Sequence, residues 1–88
     1  MPYYVRTILI TGREDDAGPA RREHQSHVEG LAAEGKIRAA GAFARGDGYL
    51  EIFEAKDLLE AEAIARSSPI VELGLGTWML REWEEFPL

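Results

Sequence analysis

Residues 3–11 (Tyr-Tyr-Val-Arg-Thr-Ile-Leu-Ile-Thr) concentrate β-branched and aromatic side chains and predict a first strand, ended by Gly12. Residues 12–18 are charged and glycine-bearing and predict a loop. Pro19 suits the first turn of a helix, where its missing N–H costs nothing. That helix runs to about Glu34, because Gly35 can take a left-handed φ just past a helix end. Residues 36–44 predict a second strand, Arg45-Gly46-Asp47-Gly48 a hairpin turn, and residues 49–55 a third strand. Asp57 and Glu60 have the spacing of a capping box and start a second helix that lasts to about Ser67. Pro69 disfavours helix at Ser68, and residues 75–83 predict the last strand. The order β-α-β-β-α-β defines an α+β fold, the ferredoxin-like split βαβ arrangement with an antiparallel four-stranded sheet.

In this arrangement both helices cover one face of the sheet, and the other face should alternate to polar. The strands do not alternate that way. Val5 and Leu9 lie on one face of the first strand, Ile8 and Ile10 on the other. Phe53 opposes Leu50 and Ile52, and Met79 and Trp83 oppose Trp78 and Leu80. Two apolar faces with helices for only one imply a second cover, and the expected cover is another copy: a homodimer packed sheet against sheet. Size points the same way. The 88 residues make one domain, 1–88, and a chain this short buries only about 60–65% of its unfolded surface. It has no cysteine, so neither a disulfide nor a thiolate metal site supplements the core.

Sixteen acidic residues against ten basic give a net charge of −6. Such a surface opposes the counterion release that drives nucleic-acid binding, so no nucleic-acid partner is expected. No apolar run approaches the roughly 20 residues of a membrane span. The start, Met1-Pro2-Tyr3-Tyr4-Val5-Arg6, lacks the basic-then-apolar order of a signal peptide. A cytoplasmic protein without a membrane partner is the expectation.

At 100° per residue, Ala20, His24, His27, Val28 and Leu31 share one stripe of the first helix, with Arg22, Ser26, Glu29 and Ala33 opposite. Both histidines therefore point at the sheet. Each can be a hydrogen-bonded core residue, or a general base or proton shuttle in a pocket between helix and sheet. His24-x-x-His27 is also half a metal site, but Glu29 points away and no third ligand is evident, so no metal is expected. No Gly-x-Ser-x-Gly elbow supports a triad hydrolase, and Gly74-Leu75-Gly76 is too short for a phosphate loop. The second helix aligns Leu58, Ala61, Ile64 and Ala65 on a stripe that Ser68 continues. Ser68 can thus meet His24, and the first strand, through Tyr4 or Arg6, supplies the floor.

Several short motifs recur in a definite order: Arg21-x-x-His24, Leu31, Gly35 eleven residues after His24, Ala40-Gly41 and Asp47-Gly48. An acidic helix start near Asp57, Ser68-Pro69-x-Val71-x-x-Gly74 and Trp83 complete it. Over nearly the whole chain this succession resembles the YciI-like (YCII-related) family. The resemblance implies a dimeric α+β barrel, two ferredoxin-like subunits with their sheets face to face. It also implies a cleft histidine at His24, paired in the family with an aspartate just before a proline. Here that position is Ser68, which can orient an imidazole but cannot supply a charge to its protonated form. The usual Gly-Pro after the second strand is changed to Gly41-Ala42. The wider superfamily implies a small, apolar, often aromatic ligand.

The expected function is acid/base chemistry of lyase or isomerase type on a small organic molecule, with His24 catalytic and no cofactor. Ser68, Tyr4, Arg6 and His27 are the expected substrate-binding residues. The alternative is a non-catalytic ligand-binding or accessory dimer that has lost the histidine–aspartate pair, and a purely structural role in interaction stands third.

Overall fold

The computed structural model describes residues 1–88 apart from the side chains of residues 14–16. The elements are β1 (Tyr3–Ile10), α1 (Glu14–Ala33), β2 (Ile37–Ala42), β3 (Gly48–Glu54), α2 (Leu58–Arg66), α3 (Pro69–Glu72) and β4 (Gly76–Trp83). The four strands form one antiparallel sheet in the order β2-β3-β1-β4. This is the expected α+β, ferredoxin-like arrangement, with β1 central.

Apart from strand ends that shift by one or two residues, two features differ from the sequence expectation. The first helix begins at Glu14, so Pro19 lies inside it rather than in its first turn. The first helical hydrogen bond runs from the Ala17 N–H to the Arg13 carbonyl, 2.9 Å. Pro19 comes only two residues later and removes a single donation to residue 15, a loss the long helix tolerates near its start. The second difference is α3, one short turn that opens on Pro69. Proline cannot continue α2, but its fixed φ suits the first position of a new turn. The chain therefore breaks at Ser68, which is extended (φ −68°, ψ 133°), and resumes as helix.

The other ends follow local chemistry. Glu34 and Gly35 close α1: Gly35, at φ 75°, sends its N–H to the Ala32 carbonyl (2.9 Å) while Lys36 bonds the Leu31 carbonyl (3.0 Å). This is a Schellman closure, and only glycine enters that conformation without strain. Asp57 caps α2 by accepting from the Glu60 N–H at 2.9 Å, and Glu60 accepts in turn from the Lys56 N–H at 3.2 Å.

The helices cover one face of the sheet. Ala17, Ala20, His24 and Leu31 of α1 are buried, and Arg22, Ser26, Glu29 and Ala33 are exposed, as the helical stripe requires. On α2 the buried residues are Ala61 and Ala65; Leu58, expected on the same stripe, sits at the first position of the helix and is exposed. The covered face holds two apolar clusters. Tyr4, Phe53, Ala55 and Ala61 form one, and Ile8, Ala20 and Ile70 the other. Between them, Arg6 on β1 stands opposite Glu51 on β3. The free face of the sheet carries Val5, Leu9, Leu50, Ile52, Met79 and Trp83, of which Leu9 and Met79 are exposed. Among the described residues no helix is long and apolar enough to cross a membrane.

Candidate active site

Strand alternation sends every second residue of β1 toward the helices, so Arg6 points inward between Tyr4 and Ile8. On β3 the same alternation sends Glu51 inward beside Phe53. Both are essentially sealed from solvent, as are His24 on α1 and Ser68 at the α2–α3 break. Four polar side chains in a core this small must bond one another. The Arg6 Nε–H donates to Glu51 Oε1 at 2.8 Å. The second carboxylate oxygen, Oε2, lies 3.0 Å from His24 Nε2, and His24 Nδ1 lies 2.7 Å from Ser68 Oγ. Arg6 Nη1 donates to the Ala65 carbonyl at 3.1 Å, in the last turn of α2, where carbonyls lack helical partners. Nη1 also lies 3.2 Å from His27 Nε2, and Nη2 has no hydrogen-bond partner among the described residues.

Donor and acceptor roles follow from the partners. Arginine only donates, so His27 Nε2 accepts and His27 is neutral, with its proton on Nδ1. Burial, followed by the nearby charge of Arg6, lowers the His27 pKa to about 4. Burial pushes the Glu51 carboxyl up, but the hydrogen bond from His24 and the charge of Arg6 together outweigh it and hold Glu51 below its usual range. An ionised Glu51 only accepts, so His24 Nε2 carries a proton. His24 Nδ1 then has two states. In the neutral ring it accepts from the Ser68 hydroxyl; in the imidazolium it donates to the same oxygen. A hydroxyl serves both states by rotating. His24 can therefore gain or lose a proton with no movement of heavy atoms, while Glu51 supplies the negative charge that serine lacks.

Beside this chain of groups opens a cleft of about 290 Å³ between α1 and the β2–β3 edge, lined by His24, Gln25, Val28, Ala40, Gly41, Ala42, Tyr49 and Glu51. The Tyr49 ring lies 4.4 Å from that of His24, centroid to centroid. Of the residues expected from the sequence, His24, Ser68, Arg6 and His27 come together. Tyr4 does not: its ring packs in the core cluster with Phe53, 6.3 Å between centroids. Glu51 was missed by the sequence reading. Its signal was the period of two in β3, which puts Glu51 on the face of the inward Phe53. Among the described residues no group of three or more His, Cys, Asp or Glu side chains is arranged to hold a metal ion.

The same fold occurs in the solved structure of 5-chloro-2-hydroxyhydroquinone dehydrochlorinase (TftG) from Burkholderia phenoliruptrix, in complex with 2,5-dihydroxybenzoquinone. The TM-score is 0.77 at 20% sequence identity, covering 98% of this chain and 96% of that one. Comparison with curated proteins gave no match. The family model of the YCII-related domain matches residues 3–86, so the chain belongs to the YCII-related family.

Proposed function

We propose that this protein carries out acid/base chemistry, of lyase or isomerase type, on a small organic molecule held in the cleft beside His24. The observation that carries this reading is the buried chain Ser68–His24–Glu51–Arg6 next to that cleft. The Glu51–His24 pair exchanges a proton with the ligand, Ser68 lets the imidazole change state, and Arg6 fixes the carboxylate. Proton transfer of this kind asks for no redox or electrophilic cofactor. The dehydrochlorinase of the same fold, solved with a small quinone, supports a ring-sized ligand. The test is release of chloride from 5-chloro-2-hydroxyhydroquinone, followed together with deuterium exchange into hydroxylated aromatics. Activity should be present in the wild type and lost in His24→Ala. Activity that survives His24→Ala would remove His24 from the chemistry.

One observation favours a second reading, a non-catalytic ligand-binding or accessory dimer: both His24 nitrogens are already bonded inside the protein. In that case ligands shift the His24 ring resonances but no deuterium enters them.

In either reading we place a second copy of the chain on the free sheet face, giving a homodimer. The support is the row of Val5, Leu9, Leu50, Ile52, Met79 and Trp83, apolar side chains on the sheet face that the helices leave uncovered. Light scattering should give about twice 9.8 kDa. A monomer at micromolar concentration would refute it.

A further inference from the structure

We infer that the cleft beside His24 selects uncharged ligands that carry a hydrogen-bond donor and rejects carboxylates. The inference rests on the cleft being the ligand site, as proposed above, and adds the ligand's charge and polarity. Glu51 lines the cleft, whereas Arg6 does not. The guanidinium reaches Glu51 Oε1 through Nε and spends Nη1 on the Ala65 carbonyl and His27; Nη2 has no partner among the described residues, but the side chain is fully buried and does not line the cleft. His24 also lines the cleft, but Nε2 faces Glu51 and Nδ1 faces Ser68, so the ring offers a ligand no free N–H. No lysine or arginine is among the lining residues.

A ligand seated against the inner wall of the cleft therefore lies beside a buried carboxylate with lone pairs to spare, because each oxygen accepts only one of the bonds described and can take another. A hydroxyl or amide N–H satisfies it. A second carboxylate would bring like charges together in a half-enclosed site where the Arg6 and His24 N–H groups nearest the carboxylate are already bonded to Glu51. Gln25 and Tyr49 are the neutral polar side chains of the lining that can serve the ligand's other end. The shape is consistent with a flat molecule. Ala40, Gly41 and Ala42 present nothing larger than a methyl group, and the Tyr49 ring stands against them on the neighbouring strand.

The experiment is an NMR titration of the intact protein at pH 7 with hydroquinone, benzamide and benzoate, read at the Gly41 amide and the Tyr49 ring. Benzamide and benzoate have nearly the same shape and differ in charge, so the comparison needs no variant. Hydroquinone and benzamide should bind, and benzoate should bind at least about tenfold more weakly than benzamide. In Glu51→Gln, which keeps the side-chain shape, the gap between benzamide and benzoate should fall below about threefold. Benzoate within about threefold of benzamide on the wild type would overturn the selectivity and leave the cleft as a ligand site. A gap that persists in a folded Glu51→Gln would overturn the role given to Glu51. If none of the three probes moves either resonance, the cleft is no ligand site and both proposals fail.

Discussion

His27 gives the protein a defined sensitivity to acid. Its Nε2 accepts from Arg6 at 3.2 Å, and burial and the guanidinium charge hold its pKa at about 4 against an ordinary 6.5. In the unfolded chain the ring takes a proton once the pH falls below about 6.5; in the folded chain it cannot do so until about 4. The folded pKa is the lower of the two, so the unfolded state binds more protons throughout this window. Stability is then complete above about pH 6.5 and drains away as the pH falls toward 4. At about 1.4 kcal/mol per pH unit the full loss comes to about 3 kcal/mol, and partial exposure of the ring trims it to about 2 kcal/mol. The variant to compare is His27→Gln, whose side-chain oxygen can accept from Arg6 but does not titrate. Urea unfolding at one fixed protein concentration, at pH 7 and at pH 4.5, measures both proteins. Other carboxyl groups titrate in each of them and cancel in the difference. The wild type should lose about 1.5 kcal/mol more than the variant over this range, which stops short of the full window. Parallel losses would mean that Arg6 and burial do not hold the ring neutral.

Three further outcomes follow from packing and bonding. Ser68→Ala should cost about 1–2 kcal/mol in urea unfolding, because it strips a buried His24 nitrogen of its partner, and should slow any turnover more than it weakens ligand binding. Phe53→Ala should cost about 3–5 kcal/mol, since the ring is fully buried at the centre of one apolar cluster; a loss below about 1 kcal/mol would mean that the cluster collapses onto the gap. Gly48→Ala should cost about 3 kcal/mol by thermal unfolding, because a β-carbon there runs into the Ile8 carbonyl of the neighbouring strand and the backbone cannot yield without parting β1 from β3.

Strand and helix order were legible because β-branched and aromatic residues concentrate in the strands while each helix carries a single apolar stripe, and because Gly35, Asp57 and Pro69 carry local signals that survive folding. The start of α1 was not legible. Pro19 is a strong helix-start signal, and the tolerance of a long helix for one missing bond is a property of its packing, not of its local sequence. The candidate site was half legible. The stripe of α1 aimed His24 and His27 at the sheet, and the stripe of α2 extended to Ser68, which bonds His24. Glu51 escaped because a glutamate in a strand reads as a solvent-facing residue until register pairs it with Arg6 across β1 and β3. Tyr4 shares the inward face of β1 with Arg6, but two residues along a strand are enough to carry it from the polar chain into the neighbouring apolar cluster.

The polar chain draws one side chain each from β1, α1, β3 and the break between α2 and α3. Its successive members lie 45, 27 and 44 positions apart in sequence. Closing contacts of that separation costs loop entropy before any bond is made, and three such closures cannot precede the sheet and helices that bring the ends together. The chain of bonds is thus a product of the last stage of folding. Substitutions in it leave the climb to the transition state nearly unchanged and shorten the lifetime of the native state instead. The four residues of the polar chain therefore act as a latch, setting how long the molecule stays folded rather than how fast it gets there.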